Sequence, residues 1–243
     1  MKLIDLLFLN QSFERNLIKR SQKHHLNYTL KKLQNRGVSL KVVFDVGARI
    51  GLWSTSVRKV LKSSDFFLFE ATEQCREQLS KSGFKYFINV LSDSEKVVEF
   101  YEIGSTGDSY YKEYTSFYQD IKPIEKRAVS LDFLVNTENL PMPDLIKLDT
   151  QGSELDILKG AKKVLRDTSL IYIECPVLKY NEGAPTLTDY LDFLRKLGFL
   201  PYEICEQHFA NDILMQVDIM FIKKTIYEEC YPGPRGTFKG IYD

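Results

Sequence analysis

The sequence predicts an open, mostly parallel α/β sheet with helices on both faces, preceded by a helical cap. Three observations predict it. From Gly37 onward, short apolar runs alternate with amphipathic stretches of helical spacing. The runs are continuously apolar rather than alternating, as strands covered on both faces must be. Two of them end in an acidic residue followed by a glycine turn and a helix, the punctuation of strand–turn–helix units.

Residues 2–35 carry apolar side chains at near-helical spacing (Leu3, Leu6, Leu7, then Phe13, Leu17, Ile18) and read as two helices. VVFDVG (42–47) reads as a buried strand, 52–62 as a helix, 66–70 as a strand, 72–82 as a helix and 86–92 as a third strand. Residues 97–103 and 126–132 read as a hairpin pair around a loop rich in Gly, Ser and Tyr. A strand over 144–149, a helix over 153–165, a strand over 170–174 and a helix over 186–198 follow, the last closed by Gly198. Strands over 200–204 and 217–223 have no helix between them, which predicts that one runs antiparallel at the sheet edge. The tail from Cys230 is rich in Gly and Pro and reads as an irregular extension.

Composition narrows the function. The 243 residues carry 33 basic and 33 acidic side chains, and 44% are hydrophobic. A chain of this length buries roughly 70–75% of its unfolded surface and needs no staples. Neutral overall charge argues against a protein whose main work is gripping nucleic acid. Four scattered cysteines and three histidines form neither a disulfide framework nor a zinc signature, which suits a reducing cytoplasm. The apolar run at Leu3–Leu9 is broken by Asp5 and is too short for a secretory signal, and no run approaches a membrane span. Charge is nonetheless uneven. Residues 2–41 hold nine basic against two acidic side chains, a net +7 that leaves −7 on the rest. The basic helices are either a solvated face or a docking surface for an anionic partner.

Chemistry concentrates in two segments. In FDVGARIGLW (44–53), a strand ends at Asp45 and a turn carries Gly47 and Gly51 before a helix. Glu70 ends the next strand, 25 residues after Asp45, where an acidic side chain can accept hydrogen bonds from ribose hydroxyls. A dinucleotide site would want G-x-G-x-x-G, but Arg49 occupies the middle glycine position. Asp45 at the strand end would repel a phosphate and suits a cation, such as the ammonium and sulfonium of S-adenosylmethionine. In DLIKLDTQGSELDILKGA (144–161), the strand ends at Asp149, Gly152 makes the turn, Ser153 can cap and Glu154 opens a helix. This strand should neighbour the first, placing Asp149 in one crevice with Asp45 and Gly47.

DVGARIG, the FE of 69–70, the LSD of 91–93, SLDFLV and IKLDTQGSELDILKGA together resemble the FkbM-type S-adenosylmethionine-dependent methyltransferases, over roughly residues 38–223. The resemblance implies a Rossmann-like seven-stranded sheet and methyl transfer, usually to oxygen, often on sugars or secondary metabolites. It divides the chain into an N-terminal helical extension (1–37), a methyltransferase domain (38–224) and a tail (225–243). It implies that Asp45, Gly47, Ala48 and Gly51 line the methionine and ribose portion, that Glu70 holds the ribose, that Ser92 or Asp93 lies near the adenine, and that Asp149 sits beside the transferable methyl. Arg49 stands where the family usually carries Asn, which tolerates left-handed backbone better. Either the loop is strained at Arg49, or the guanidinium has a task of its own in cofactor binding.

A sugar hydroxyl needs a base, and Asp149, Glu154, Glu174 and His208 are the candidates in that order. Asp149 and Glu174, ending adjacent strands, could instead share a divalent metal, which the sequence allows but does not predict. The acceptor is expected to be a carbohydrate or another small molecule. The turn after the strand ending at Asp149 reads Asp149-Thr150-Gln151-Gly152 and lacks the Pro-Pro-aromatic element of base-amine methyltransferases, and Cys175-Pro176 is the reverse of a Pro-Cys nucleophile. Tyr110, Tyr111, Tyr114 and Tyr118 suit carbohydrate stacking and equally suit a loop packing on its own sheet. The alternative to an enzyme is a non-catalytic Rossmann-like interaction module, which would bind no cofactor.

Overall fold

The computed structural model describes residues 25–104 and 106–231. The first predicted helix and the Gly/Pro-rich end of the tail lie outside the described residues. A helix over 25–35 (α1) leads into β1 (Val42–Val46), α2 (Leu52–Arg58), β2 (Asp65–Glu70), α3 (Arg76–Lys81) and β3 (Lys85–Ile88). β4 (Val90–Ser92), β5 (Lys96–Phe100) and β6 (Ile124–Ser130) follow, then α4 (Leu131–Thr137), β7 (Leu145–Leu148), α5 (Glu154–Lys159), α6 (Val164–Asp167) and β8 (Leu170–Pro176). α7 (Leu187–Lys196), β9 (Phe199–Ala210), β10 (Ile213–Lys223) and α8 (Lys224–Cys230) complete the described elements.

The seven-stranded sheet has the order β3-β2-β1-β7-β8-β10-β9. β1, β2, β3, β7 and β8 pair in parallel, and β10 is antiparallel to both of its neighbours. The antiparallel strand therefore lies one place inside the edge rather than at it: β10 inserts between β8 and β9, and β9 takes the edge. Apolar clusters cover both faces, one including Phe44, Ile146, Leu158 and Phe221, the other Val43, Leu68, Leu170 and Met220. Leu26, Leu30 and Leu33 place α1 within the second cluster, so this helix packs on the sheet itself. Its polar side reaches β9, where Glu203 takes Lys32 at 2.5 Å and His25 at 2.9 Å.

Several boundaries differ from the sequence reading for local reasons. The predicted third strand divides at Asn89, with β3 joining the main sheet and β4 a second sheet of order β4-β6-β5. The expected strand over 126–132 stops at Ser130, whose hydroxyl accepts from the Phe133 amide at 3.1 Å and starts α4. The helix expected over 153–165 breaks at Gly160, and the Asp132 carboxylate accepts from the amides of Lys163 and Val164 to open α6. The last two strands are longer than expected. Asn211 and Asp212 both adopt positive φ (49° and 63°), a two-residue hairpin turn that extends the β9–β10 ladder beyond the predicted spans.

Candidate active site

A cleft of about 720 Å³ opens beyond the C-terminal ends of β1, β2 and β7, where open α/β sheets bind ligands. Its lining includes Gly47, Arg49, Glu70, Asn89, Leu91, Asp108, Tyr110, Asp149 and Ile157. Gly47 has φ 76°, and a Cβ there would stand 1.8 Å from the Asp149 carbonyl oxygen. Its lack of a side chain lets the β1 turn lie against the end of β7, which closes this part of the crevice. Arg49 also adopts positive φ (49°), and its amide donates to Glu70 Oε2 at 2.6 Å. Oε1 of Glu70 accepts from Ala71 and Thr72 at 2.8 and 3.0 Å. Three of the carboxylate's roughly four acceptor sites are thus filled by backbone, leaving Oε2 able to take one more donor. Burial raises the Glu70 pKa above its usual value, against the pull of these amides and of Lys147.

Asp45 does not line the cleft. It is fully buried, accepts from Ser54 Oγ at 2.6 Å and forms an ion pair with Lys147 Nζ at 3.0 Å. The cation it meets belongs to the chain. Lys147, on β7, also donates to the Gly47 carbonyl at 2.9 Å and stands 3.5 Å from Asp149 Oδ2. Desolvation is the largest effect on Lys147 and would lower its pKa, but Asp45 and Asp149 together hold it well above normal. An apolar-strand reading of 144–149 gives Lys147 no role. A lysine inside that run was the signal, since burying an ammonium requires a paired carboxylate.

Ala48 and Gly51 shape the turn without reaching the lining; Gly51 has φ 78° beside the Leu68 side chain. Ser92 is buried with its hydroxyl 3.2 Å from that of Tyr110, and Asp93 pairs with Lys96 at 2.8 Å at the surface. Neither lines the cleft; Asn89, Val90 and Leu91, just before them, do, because β4 turns away into the second sheet. Of the tyrosine-rich loop, Tyr110 and Tyr111 direct their hydroxyls to Asp156 and Tyr118 is buried against Gly107, whereas Tyr114 stays exposed. Most of the loop is packing.

Glu154 is also structural. It is buried, and its oxygens accept from the amides of Thr150 (2.7 Å) and Gly152 (3.0 Å) and from the Tyr190 hydroxyl (2.6 Å). It holds the turn that carries Asp149 and lines neither cavity described here. Burial raises its pKa despite these donors.

The other three candidate bases meet in a second cavity, of about 480 Å³, lined by Trp53, Lys147, Leu148, Asp149, Tyr172, Glu174, Glu206, His208 and Asp218. Trp53 and Tyr172 stack there with ring centroids 5.9 Å apart. Gln151 Nε2 donates to both Asp149 (3.0 Å) and Glu174 (3.2 Å). Burial first, then the charges of Asp149, Asp218 and Glu154, push the Glu174 pKa well upward. Asp218 raises that of His208 through a close contact. Asp149 belongs to both linings, and its side chain is 41% exposed. Tyr172, Glu206 and Asp218 escaped the sequence reading because only strand pairing brings them to one place, and Trp53, on α2, joins them by stacking on Tyr172.

The methyltransferase FkbM domain model matches residues 45–201, which include both motif segments. Among curated proteins, the 2-O-methyltransferase NoeI of Sinorhizobium fredii is 28% identical over 171 residues, covering 63% of this chain and 70% of that protein. The hexuronic acid methyltransferase AglP of Haloferax volcanii is 27% identical over 139 residues, 55% of each. Among solved structures, magnesium protoporphyrin IX methyltransferase (ChlM) from Synechocystis PCC 6803 with bound SAM aligns at a TM-score of 0.48 and 8% identity, covering 85% of this chain and 81% of that one.

Proposed function

Since the chain belongs to the FkbM methyltransferase family and is an S-adenosylmethionine-dependent enzyme, we propose that it methylates a hydroxyl of a sugar or glycan. The observation that carries this reading is Asp149 standing on the linings of both cavities. On this reading the cleft at the ends of β1, β2 and β7 is the donor site and the cavity beside Trp53 and Tyr172 the acceptor site, with one carboxylate at their junction.

The donor cleft fits S-adenosylmethionine by its chemistry. The free acceptor site on Glu70 Oε2 suits one ribose hydroxyl, Leu91 and Ile157 supply an apolar slot for the adenine, and Arg49 supplies a cation for the methionyl carboxylate. When bound, the cofactor supplies an electrophilic methyl on a sulfonium. The protein's part is alignment and proton removal. Asp149 accepts the proton of the acceptor hydroxyl, while Lys147 at 3.5 Å and Gln151 at 3.0 Å fix its orientation. Trp53 and Tyr172 give the acceptor cavity an aromatic wall, and its carboxylates can receive sugar hydroxyls. The two curated relatives, one a 2-O-methyltransferase and one acting on a hexuronic acid by name, support a carbohydrate acceptor.

The test is a screen of nucleotide-sugars, glycans and uronic acids with labelled S-adenosylmethionine, beside calorimetry of cofactor binding. Label transferred to a sugar oxygen is expected. Cofactor binding with label transferred only to phenols or amines overturns the acceptor assignment.

A further inference from the structure

In the β9–β10 ladder, Glu206 and Asp218 are direct cross-strand partners, and on the other side of β10 Asp218 is the partner of Glu174. Three acidic residues therefore occupy one rung across β8, β10 and β9, all bordering the same cavity. Like charges placed directly opposite destabilise a sheet. The local cations do not balance them: Lys147 is engaged by Asp45 at 3.0 Å and Asp149 at 3.5 Å, which leaves the imidazole of His208, two residues beyond Glu206. Nε2 of His208 approaches Asp218 Oδ1 to 3.3 Å and the Glu206 carboxylate to 3.9 Å. His208 Nε2 and Asp218 Oδ1 are both shut off from solvent and face each other, and among the described residues no other hydrogen-bond partner reaches either atom. Asp218 Oδ2 is held separately by the Tyr172 hydroxyl at 2.8 Å, which aims the other oxygen at the imidazole. One atom from each of Glu206, His208 and Asp218 falls within a 4.8 Å span.

We propose that Glu206, His208 and Asp218 bind a divalent cation, and that this ion anchors the acceptor in its cavity. A cation between the three atoms would replace the His208–Asp218 ion pair with metal ligation and offset the acidic rung. One imidazole nitrogen with two carboxylates suits Mn²⁺ or Zn²⁺ better than Mg²⁺ or Ca²⁺, which prefer oxygen-only sets. Three protein ligands leave coordination positions open for oxygens of the acceptor. The acceptor class then becomes a sugar with two adjacent oxygens able to chelate, a vicinal diol or a uronic acid. A coordinated hydroxyl gives up its proton more readily, which helps Asp149 remove it. The acceptor role rests on the methyltransferase reading above; the metal site does not.

The experiment titrates Mn²⁺ alone into the chelator-treated full chain, followed by calorimetry and by the loss of the free-ion electron paramagnetic resonance signal. One saturable site is expected. Changes in outer-shell partners typically cost about 10–100-fold in metal affinity, so Glu206→Gln, His208→Gln and Asp218→Asn should each weaken binding at least tenfold. S-adenosylmethionine calorimetry on the same variants reports that each is folded, because the donor cleft uses none of the three residues. No saturable Mn²⁺ or Zn²⁺ binding overturns the proposal, as does an affinity that all three folded variants share with the parent chain. Binding of a small amine in place of the ions also overturns it, since the acidic cavity would then serve a cationic acceptor. Saturable metal binding by a chain that methylates no sugar would uphold the site and remove only the sugar reading.

Discussion

Gly47 and Asp149 approach so closely that a Cβ on the glycine would sit 1.8 Å from the aspartate's carbonyl oxygen. The contact welds the turn after β1 to the end of β7, the two segments that meet at the donor cleft. Gly47→Ala should therefore cost more than the ~1–2 kcal/mol of left-handed backbone strain, because the backbone itself must move. Gly37 also has positive φ, 86°, but a methyl group there would meet no atom within 4 Å, so Gly37→Ala serves as the control for strain alone. Urea unfolding and cofactor calorimetry should show Gly37→Ala mildly destabilised with binding kept, and Gly47→Ala with binding lost.

The buried pair of Lys147 and Asp45 should behave as a unit. Lys147→Met leaves a fully buried carboxylate without its cation, at a cost of about 3–5 kcal/mol. Adding Asp45→Asn removes the stranded charge, so the double variant should be more stable than Lys147→Met alone. A double-mutant cycle by urea unfolding measures this coupling, and strict additivity would show that the pair does not interact.

Glu154→Ala should destabilise by about 3 kcal/mol or more, since three buried donors lose their acceptor at about 1–3 kcal/mol each. The pH dependence has a definite sign. Folding raises the Glu154 pKa above 4.5, so the native state holds the proton more tightly than the unfolded chain. Stability then falls as pH rises from that value through the folded-state pKa. Unfolding of Glu154→Gln across the same pH series should lack this contribution, and an unchanged slope would remove Glu154 as its source.

Cofactor affinity should weaken as pH falls through the raised pKa of Glu70, because protonation removes both its charge and its remaining acceptor site. The decline should begin above the ordinary glutamate value of 4.5. Glu70→Gln should bind roughly tenfold or more weakly, as expected for a lost hydrogen bond to a charged group, with a flatter pH profile by calorimetry.

Asp149→Asn should lower turnover by about 10²–10⁴-fold, the scale of a removed general base, with cofactor affinity within a few-fold of the parent. Single-turnover kinetics on an identified sugar acceptor separates the two effects. Equal turnover would take Asp149 out of the proton transfer.

Local patterns in the chain were enough to establish the layered α/β plan, because continuously apolar runs separated by amphipathic ones read as strands covered by helices. They also picked out Gly47, Arg49, Glu70 and Asp149, which line one cleft at the ends of β1, β2 and β7, since glycine turns and acidic strand ends are local signals. Arg49 was marked by its own chemistry, an arginine where the backbone runs left-handed at φ 49°. Long-range packing set the rest. Asp45 looks like a ligand group in the motif, but the parallel pairing of β1 with β7 sets it opposite Lys147, and the buried charges neutralise each other. Glu154 looks like a base, but the fold surrounds it with the donors of its own turn. Glu206 and Asp218 stand in segments without any motif. They became a site only when the Asn211-Asp212 turn fixed the register of β9 on β10, and β10 inserted beside β8. Register is a long-range property: a slip of one residue would turn all these carboxylates to the opposite face, and no local window of the sequence encodes it.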